Sequence, residues 1–96
     1  MNIMIVGLMT VELHIGGAIT LKDKRRVLKS IIDRTRSRFN VSIAEVDNQD
    51  LWQRATLGVA VVSNESGHVN QMLQTVIRSI EGHGEADLMD YTVEIL

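Results

Sequence analysis

Hydrophobic residues alternate with other residues along the first fifteen positions of the chain. One parity carries Ile3, Ile5, Met9, Val11, Leu13 and Ile15, interrupted only by Gly7. The other parity is apolar at Met4, Val6 and Leu8 and polar afterwards. A period of two predicts a β-strand over residues 2–15 with one fully apolar face. The adjacent glycines at 16 and 17 predict its end.

The next segment changes to a helical period. Its apolar stripe comprises Leu21, Leu28, Ile31, Ile32, Thr35 and Phe39. Thr20 is suited to cap the helix N-terminus, and Asp23, three residues later, to complete a capping box. Asn40 stands where a left-handed residue would end the helix. We therefore predict a helix over residues 21–39.

The second half of the chain predicts two strands, a helix and a final strand. Residues 41–46 form a short strand, and residues 56–62, apolar on both parities, form a central one. A helical stripe follows at Val69, Met72, Leu73, Val76, Ile77 and Ile80. Ser63 to Ser66 predicts the turn and cap before this helix, and Gly82 to Gly84 predicts its end. Residues 89–95 alternate again and predict the last strand.

The order β-α-β-β-α-β predicts a ferredoxin-like α+β fold in a single domain over residues 1–96. Right-handed crossovers place both helices on one face of a four-stranded antiparallel sheet. Strands 1 and 3 are then central, in agreement with their two-sided apolarity, and strands 2 and 4 are edges.

The connection between strands 2 and 3 is acidic and contains the chain's tryptophan. We expect Asp47 and Asp50 to cap a single helical turn around Trp52. With Glu45 they also suggest a hard-cation site, but the spacing matches no EF-hand loop, so capping is the preferred interpretation. Trp52 is interpreted as a core anchor. The alternative is an exposed stacking residue beside Arg54.

Composition excludes several kinds of site. The chain has no cysteine, so thiolate metal sites and cysteine nucleophiles are absent. His14, His68 and His83 are too far apart for a zinc motif, and we find no nucleophile or phosphate-loop motif. We predict a non-enzymatic protein without a metal or cofactor. The N-terminal segment lacks a basic leader, and no apolar run reaches the roughly 18 residues of a membrane span. We therefore expect a cytoplasmic protein with no membrane association.

Positive charge is concentrated in the first predicted helix. Residues 20–39 contain eight of the ten basic residues, namely Lys22, Lys24, Arg25, Arg26, Lys29, Arg34, Arg36 and Arg38. Only Asp23 and Asp33 offset them there, although the chain carries a formal net charge of −2. Two interpretations stay open: a phosphate-binding surface, or the solvated exterior of an ordinary helix.

On the first interpretation, the phosphates of a nucleic acid would contact one basic surface. Its proposed residues are Lys22, Arg25, Arg26, Lys29, Arg36 and Arg54. Five or six such contacts predict a salt slope of about −4 to −5 on duplex nucleic acid. The central strands contain no aromatic residue, so base stacking on the sheet is not expected.

The sheet face without helices predicts an apolar surface. Its proposed interface residues are Met4, Val6, Leu8, Ala60 and Val62, with Ala44, Leu88 and Leu96 nearby. Large apolar patches usually mark interfaces, so we expect a homodimer formed by two sheets packed face to face. The alternative is a scattered apolar surface of the ordinary kind.

Three segments together resemble the YlxP-like family of small bacterial proteins, a family of unknown function. They are TLKDKRRVLK at 20–29, RFNVSIAEV at 38–46 and DLWQRATLG at 50–58. The resemblance implies a ferredoxin-like fold, a bacterial cytoplasmic setting and a genomic neighbourhood of translation and ribosome-maturation factors. The leading hypothesis is thus an RNA- or ribosome-associated binding protein. The alternative is a homodimeric protein-interaction or regulatory module that binds no nucleic acid.

Overall fold

A computed structural model describes residues 3–96 and confirms the predicted order of elements. The elements are β1 (Ile5–His14), α1 (Leu21–Arg38), β2 (Ser42–Asp47), β3 (Arg54–Ser63), α2 (Ser66–Glu81) and β4 (Asp87–Ile95). The four strands form one antiparallel sheet in the order β2-β3-β1-β4. This is the ferredoxin-like arrangement, with β1 and β3 central and β2 and β4 at the edges.

The core lies between the two helices and one face of the sheet. The sheet contributes the alternate positions Met9, Val11 and Leu13 of β1 and Ala55, Leu57, Val59 and Val61 of β3. The helices contribute Val27, Leu28 and Ile31 of α1 and Val69, Leu73, Val76, Ile77 and Ile80 of α2. The interruption at Gly7 has a packing cause: a Cβ placed there would lie 2.2 Å from Cγ1 of Val69. Gly7 therefore lets α2 approach β1 closely.

The N-terminus of α1 agrees with the prediction, and its C-terminus does not. The capping box is present, because Asp23 N–H donates to Oγ1 of Thr20 at 3.1 Å and Ile19 N–H to Oδ2 of Asp23 at 3.1 Å. The left-handed stop expected at Asn40 is wrong. The helix ends at Arg38, and its C-cap residue Phe39 has an extended backbone. A left-handed backbone, with φ 60°, is found at Asn48.

The strands differ from the prediction in where β1 begins and in how β1 pairs with β4. β1 begins at Ile5, so the exposed Ile3 and Met4 precede it, and residue 2 lies outside the described residues. The β1–β4 register shifts between Glu12 and Leu13, which pairs Leu13 with Leu88. Because paired residues share a sheet face, Leu88 packs against the core and does not join the free face as expected.

The expected serine cap of α2 is also wrong. Glu65 is the N-cap residue and makes no side-chain cap hydrogen bond, while Ser66 is already helical. The hydroxyl of Ser63 instead contacts Nδ1 of His68 at 3.0 Å and accepts the Glu65 N–H at 3.3 Å.

Candidate nucleic-acid interface

Lys24 is the most buried of the basic residues of α1, with 0% of its surface exposed. Its ammonium donates to the carbonyl oxygens of Leu51 at 2.6 Å, Asn48 at 2.7 Å and Arg54 at 3.0 Å. It also lies 2.9 Å from Oε2 of Glu45. A buried ammonium needs this dense set of acceptors to replace its lost hydration. Lys24 is therefore a structural clamp and is removed from any phosphate-binding surface.

The clamp organises the loop between β2 and β3, residues 48–53. The single helical turn expected there is absent; the loop is a turn in which Leu51 N–H donates to Asn48 C=O at 3.1 Å. Asp47 caps no helix, since its Oδ1 accepts the neighbouring Asn48 N–H at 2.8 Å. Trp52 is 54% exposed, so its interpretation as a core anchor is wrong. The buried lysine performs the anchoring role that sequence reasoning gave to the tryptophan.

Arg26 is paired across the molecule with Glu85, a residue of the α2–β4 connection. Its guanidinium donates to both carboxylate oxygens, with Nη2–Oε2 at 2.8 Å and Nη1–Oε1 at 3.3 Å. This side-chain hydrogen bond lowers the pKa of the Glu85 carboxyl and raises the pKa of Arg26. A phosphate reaching Arg26 must therefore compete with an existing bidentate partner.

Lys29 is paired within its own helix. Its ammonium lies 2.6 Å from Oδ2 of Asp33, one turn later. Both side chains are more than half exposed, at 75% and 53%, so solvent screens this pair and it exchanges readily. Lys29 thus remains available to a ligand of higher charge density.

Arg36 is bound to the backbone of the edge strand β2. Its Nη2 donates to the carbonyl oxygen of Ile43 at 3.0 Å. This contact leaves the positive charge uncompensated, because a carbonyl group carries no net charge. It also covers part of the exposed edge of β2, which reduces the tendency of an open strand edge to pair with other chains.

These side chains border a groove between α1 and β2 with a volume of about 420 Å³. Its basic wall is formed by Arg25, Lys29 and Arg36. Of its apolar lining residues, Leu28 is only 3% exposed and Ile32 is partly buried against the core, while Ala44 pairs with Gly58 and so turns its side chain to the uncovered sheet face. The two acidic residues at the groove are Asp33 and Glu45, and each is already paired with a lysine. The guanidinium groups of Arg25 and Arg36 make no ion pair to a carboxylate among residues 3–96.

The residues of the predicted basic surface therefore lie on several sides of the molecule. Lys22 is exposed and has no carboxylate partner within the described part of the chain. Arg34 follows Arg25 by two and a half turns, so it lies on the opposite side of the helix. Arg54 does not line the groove. It pairs across the sheet with His14, which puts its side chain on the face away from the helices.

The free face of the sheet, which no helix covers, is apolar at one end and polar at the other. At one end Val6 pairs with Val62 and Leu8 with Ala60, all on the uncovered face. Toward the other end Glu12 stands directly opposite Asp90. The exposed apolar residues at the first end include Met4 (73%), Val62 (59%) and Leu96 (63%). The apolar surface is thus confined to about half of the face.

Val46 is an apolar residue of the free face that sequence reasoning missed. A Cβ at Gly58 would lie 2.9 Å from Cγ1 of Val46, so this side chain covers the glycine. The β2–β3 register shifts between Glu45 and Asp47, so Val46 has no directly paired residue in β3. Its position two residues after Ala44 is the signal that indicates this face.

The structure contains two serine–histidine contacts that the sequence spacing did not predict. Besides Ser63 and His68, Ser30 Oγ lies 3.3 Å from Nε2 of His83. Nδ1 of His83 accepts the Glu85 N–H at 3.4 Å, so a neutral His83 carries its proton on Nε2 and donates to Ser30. In neither pair does a described carboxylate hydrogen-bond the other ring nitrogen, as the orienting acid of a catalytic triad does.

Residues 3–96 contain no cluster of three His, Asp or Glu side chains arranged to hold a metal ion. Within the same range, neither helix combines the length and hydrophobicity that are needed to cross a bilayer.

The fold and the sequence together define the family. The chain has the ferredoxin-like α+β architecture, and its residues 6–93 match the family described as protein of unknown function (DUF503). The chain belongs to this family. It is 40% identical over 82 residues to the uncharacterized protein YlxP of Bacillus subtilis (strain 168), covering 85% of this chain and 89% of that protein.

Two solved structures show the same fold at low sequence identity. The de novo designed protein Foldit4 aligns with a TM-score of 0.56 at 11% identity, covering 98% of this chain and 97% of the other. A C-terminal segment of the alpha subunit of aIF2 from Pyrococcus abyssi aligns with a TM-score of 0.52 at 14% identity, covering 88% and 49% respectively. These likenesses concern the fold alone.

Proposed function

We propose that this protein is a non-enzymatic RNA-binding protein, associated with the ribosome, that binds phosphates at the groove between α1 and β2. One observation carries the proposal: Arg25, Lys29 and Arg36 border a single groove whose two carboxylates are already paired with lysines. The groove therefore retains the positive charge of two guanidinium groups, although the chain as a whole is slightly acidic.

Arginine is suited to this role because its planar guanidinium donates two parallel hydrogen bonds to a phosphate. Lys22 adds a third uncompensated cation at the N-terminal end of the same helix. Three phosphate contacts predict a salt slope of about −2 on single-stranded RNA. This is smaller than the sequence-based expectation, because Arg26 and Lys29 carry carboxylate partners and Arg54 lies on the other face of the sheet. The slope per contact is also smaller on a single strand than on a duplex. The translation-related neighbourhood implied by the YlxP-like resemblance makes ribosomal RNA the first ligand to test.

The test is a gel-shift titration with a ribosomal RNA fragment, comparing two charge-matched double variants. Arg25→Glu with Arg36→Glu reverses both free guanidinium groups of the groove. We expect it to weaken binding by about tenfold or more, since it converts two attractive contacts into repulsive ones. The matched control is Arg34→Glu with Arg38→Glu, which makes the same change in net charge at exposed positions outside the groove.

Equal losses in the two double variants would mean that the RNA responds only to the net charge of the protein. Absence of binding by the unmodified protein at low salt, with both free RNA and ribosomal subunits, would refute the proposal. Thermal melts of both variants establish that each remains folded.

A second candidate function rests on the free face of the sheet. We propose that the apolar half of this face forms a homodimer interface of a protein-interaction or regulatory module. The exposure of Met4, Val62 and Leu96 supports this proposal, since clustered apolar side chains favour a partner. Glu12 and Asp90 limit the geometry, because a fully overlapping pair of sheets would bury their carboxylates. The two sheets must therefore be offset, so that only their apolar halves meet.

Sedimentation velocity measures the proposed dimer directly. We expect Val62→Asp, which places a carboxylate in the apolar half, to convert a dimer to a monomer while the chain stays folded. Asn70→Asp, at an exposed position of α2, adds the same charge elsewhere and is the control. A monomeric unmodified protein at high concentration would contradict the dimer proposal.

A further inference from the structure

We propose that the outer edge of β4 binds an extended segment of a partner protein in which basic and apolar residues alternate. The segment adds a fifth strand to the sheet, which is the recognition mode known as β-strand addition. This edge is separate from the groove between α1 and β2 and from the apolar half of the free sheet face. The inference therefore does not depend on either proposed function.

The hydrogen bonds between β1 and β4 determine which backbone groups of β4 point outward. Leu96 N–H donates to Val6 C=O at 2.8 Å. Bonded and non-bonded pairs alternate along an antiparallel ladder, so every second residue before Leu96 also bonds to β1. The residues between them turn their N–H and C=O groups away from β1. These outward residues are Tyr91, Val93 and Ile95.

This outer edge is open in the structure. β4 is the last strand on its side of the sheet, so no described strand pairs with its outer groups. Tyr91 N–H is held by Oδ1 of the neighbouring Asp90 at 2.9 Å, which agrees with an outward direction. In the described part of the chain, no side chain accepts the N–H groups of Val93 and Ile95. The opposite edge differs, because Arg36 covers part of β2. An uncovered edge is a template for a further strand.

Apolar side chains are incompletely covered on the helix side of this edge. Tyr91 is 37% exposed, Ile95 is 38% exposed, and Val93 is partly buried against the core. Residues that are paired across strands share a sheet face, and these three pair with β1 residues whose side of the sheet carries the helices. A neighbouring strand with apolar residues at alternate positions extends the core over the edge.

The same edge is acidic on the free face of the sheet. Asp90 and Glu94 belong to β4, and Glu12 stands directly opposite Asp90. β4 contains no basic residue, and none of these three carboxylates forms an ion pair within residues 3–96. Like charges that stand opposite each other destabilise a sheet. Lysine or arginine at alternate positions of the added strand relieves this repulsion.

The charge of the edge argues against two other ligands. RNA is disfavoured because its phosphates meet uncompensated carboxylates. A second copy of β4 supplies the open backbone groups with partners but brings more acid and no cation; an antiparallel pair centred on Thr92 places Asp90 opposite Glu94. A basic strand satisfies the backbone groups and the carboxylates together.

A bulge limits the length of the edge. The β1–β4 register shifts between Glu12 and Leu13, which leaves Met89 without a partner in β1. The regular edge therefore comprises residues 90–95, which span about 20 Å of extended chain. A short peptide is long enough to cover it.

The binding test is fluorescence anisotropy with three labelled synthetic peptides of about nine residues each. Lysine alternates with valine in the first peptide, and glutamate alternates with valine in the second. The third has the composition of the first, with its lysines in one block and its valines in another. We expect the first peptide to bind about fivefold or more tightly than either of the others, because it alone combines the charge with the alternation.

A charge variant tests the role of the acidic side. Asp90→Asn with Glu94→Gln should abolish the preference for the lysine peptide over the glutamate peptide. The control is Asp50→Asn with Glu65→Gln, which makes the same change in net charge at exposed positions of the β2–β3 loop and the α2 N-cap. The control should keep the preference, because neither residue belongs to β4.

Hydrogen–deuterium exchange followed by NMR tests the backbone contacts. The lysine–valine peptide should slow exchange at the amides of Val93 and Ile95 in the unmodified protein. Val93→Pro removes one outward N–H, and proline is compatible with an edge position of this kind. We expect this variant to weaken peptide binding by about tenfold. The exchange measurement needs no variant, so it decides the question even if Val93→Pro fails to fold.

Four results would each overturn the inference and leave the RNA-binding proposal standing. They are no binding of the lysine–valine peptide, equal binding of the block peptide, slowed exchange at the β2 edge with β4 unaffected, and a peptide-free dimer in which Val93 and Ile95 are already protected. The block-peptide result would assign binding to charge alone, and the dimer would assign the edge to a second copy of the chain.

Discussion

Lys24 shows how a single residue can belong to the core although its type suggests the surface. It lies on the same helical stripe as Leu28, Ile31 and Thr35, at i, i+4, i+7 and i+11, and all four are buried. Helical spacing alone therefore places Lys24 inward. The acceptors that make this possible are backbone carbonyls of residues 48–54, more than twenty residues away, and no sequence pattern identifies them.

The structure predicts that Lys24→Met is strongly destabilising. The substitution keeps the apolar stem but leaves Glu45 without its ion-pair partner and several carbonyls without a donor. Breaking a buried ion pair in this way costs about 3–5 kcal/mol. Chemical denaturation measures the change in the free energy of unfolding. The matched control is Lys22→Met, at an exposed position in the same turn, with an expected change within about 0.5 kcal/mol. Similar stabilities for the two variants would contradict the clamp.

Trp52 is the opposite case to Lys24, because its residue type suggests the core although it lies at the surface. Tryptophan is usually buried, and that tendency favoured a core anchor. The loop does not need one, because Lys24 already fixes its backbone. The exposed Trp52 has no assigned role in the proposed function.

At the scale of elements, α1 is a helix whose sides have different partners. One side faces the core, one is tied to Glu85 through Arg26, and one borders the groove with β2. The sequence predicts the helix, its capping box and its core stripe, because all three depend on residues within a few turns. It does not predict which cations are neutralised, since the partner of Arg26 lies 59 residues along the chain.

The Arg26–Glu85 pair gives a prediction about pH. Hydrogen bonding lowers the folded-state pKa of Glu85, so the stabilisation from this pair is present above the unfolded pKa. It is lost as the pH falls through the folded pKa. An NMR titration of the Glu85 carboxyl should show a midpoint below the ordinary glutamate value, and Arg26→Gln should raise it. Arg78→Gln, on α2, should leave the titration unchanged; an unaltered midpoint in Arg26→Gln would exclude the pairing.

Strand irregularities account for the other differences at this scale. The sequence predicts both central strands, β1 from its alternation and β3 from its apolarity on both parities. Alternation fails at Leu88, where the β1–β4 register shifts and turns this side chain to the core face. A register shift depends on pairing with a neighbouring strand, so period-two reasoning along one strand cannot detect it.

At the scale of the whole molecule, charge and hydrophobicity are separated between two surfaces. The groove between α1 and β2 has free arginines, whereas the uncovered sheet face is apolar at one end and charged at the other, where Glu12, Asp90 and Arg54 lie. The two proposed functions therefore use different surfaces and are compatible in one molecule. A dimer formed through the apolar half of the sheet leaves both grooves accessible, because α1 lies on the opposite face.

The most direct test of the account is the location of the RNA on the protein. Titrating the isotope-labelled chain with an oligouridylate and following backbone amide NMR shifts reports every contacted region at once. The account predicts that the largest shifts occur at the groove, in particular at Arg25, Lys29, Ile32, Arg36 and Ala44, and that they fade as salt is raised. Shifts concentrated on the free sheet face or around Trp52, with the groove unaffected, would contradict it.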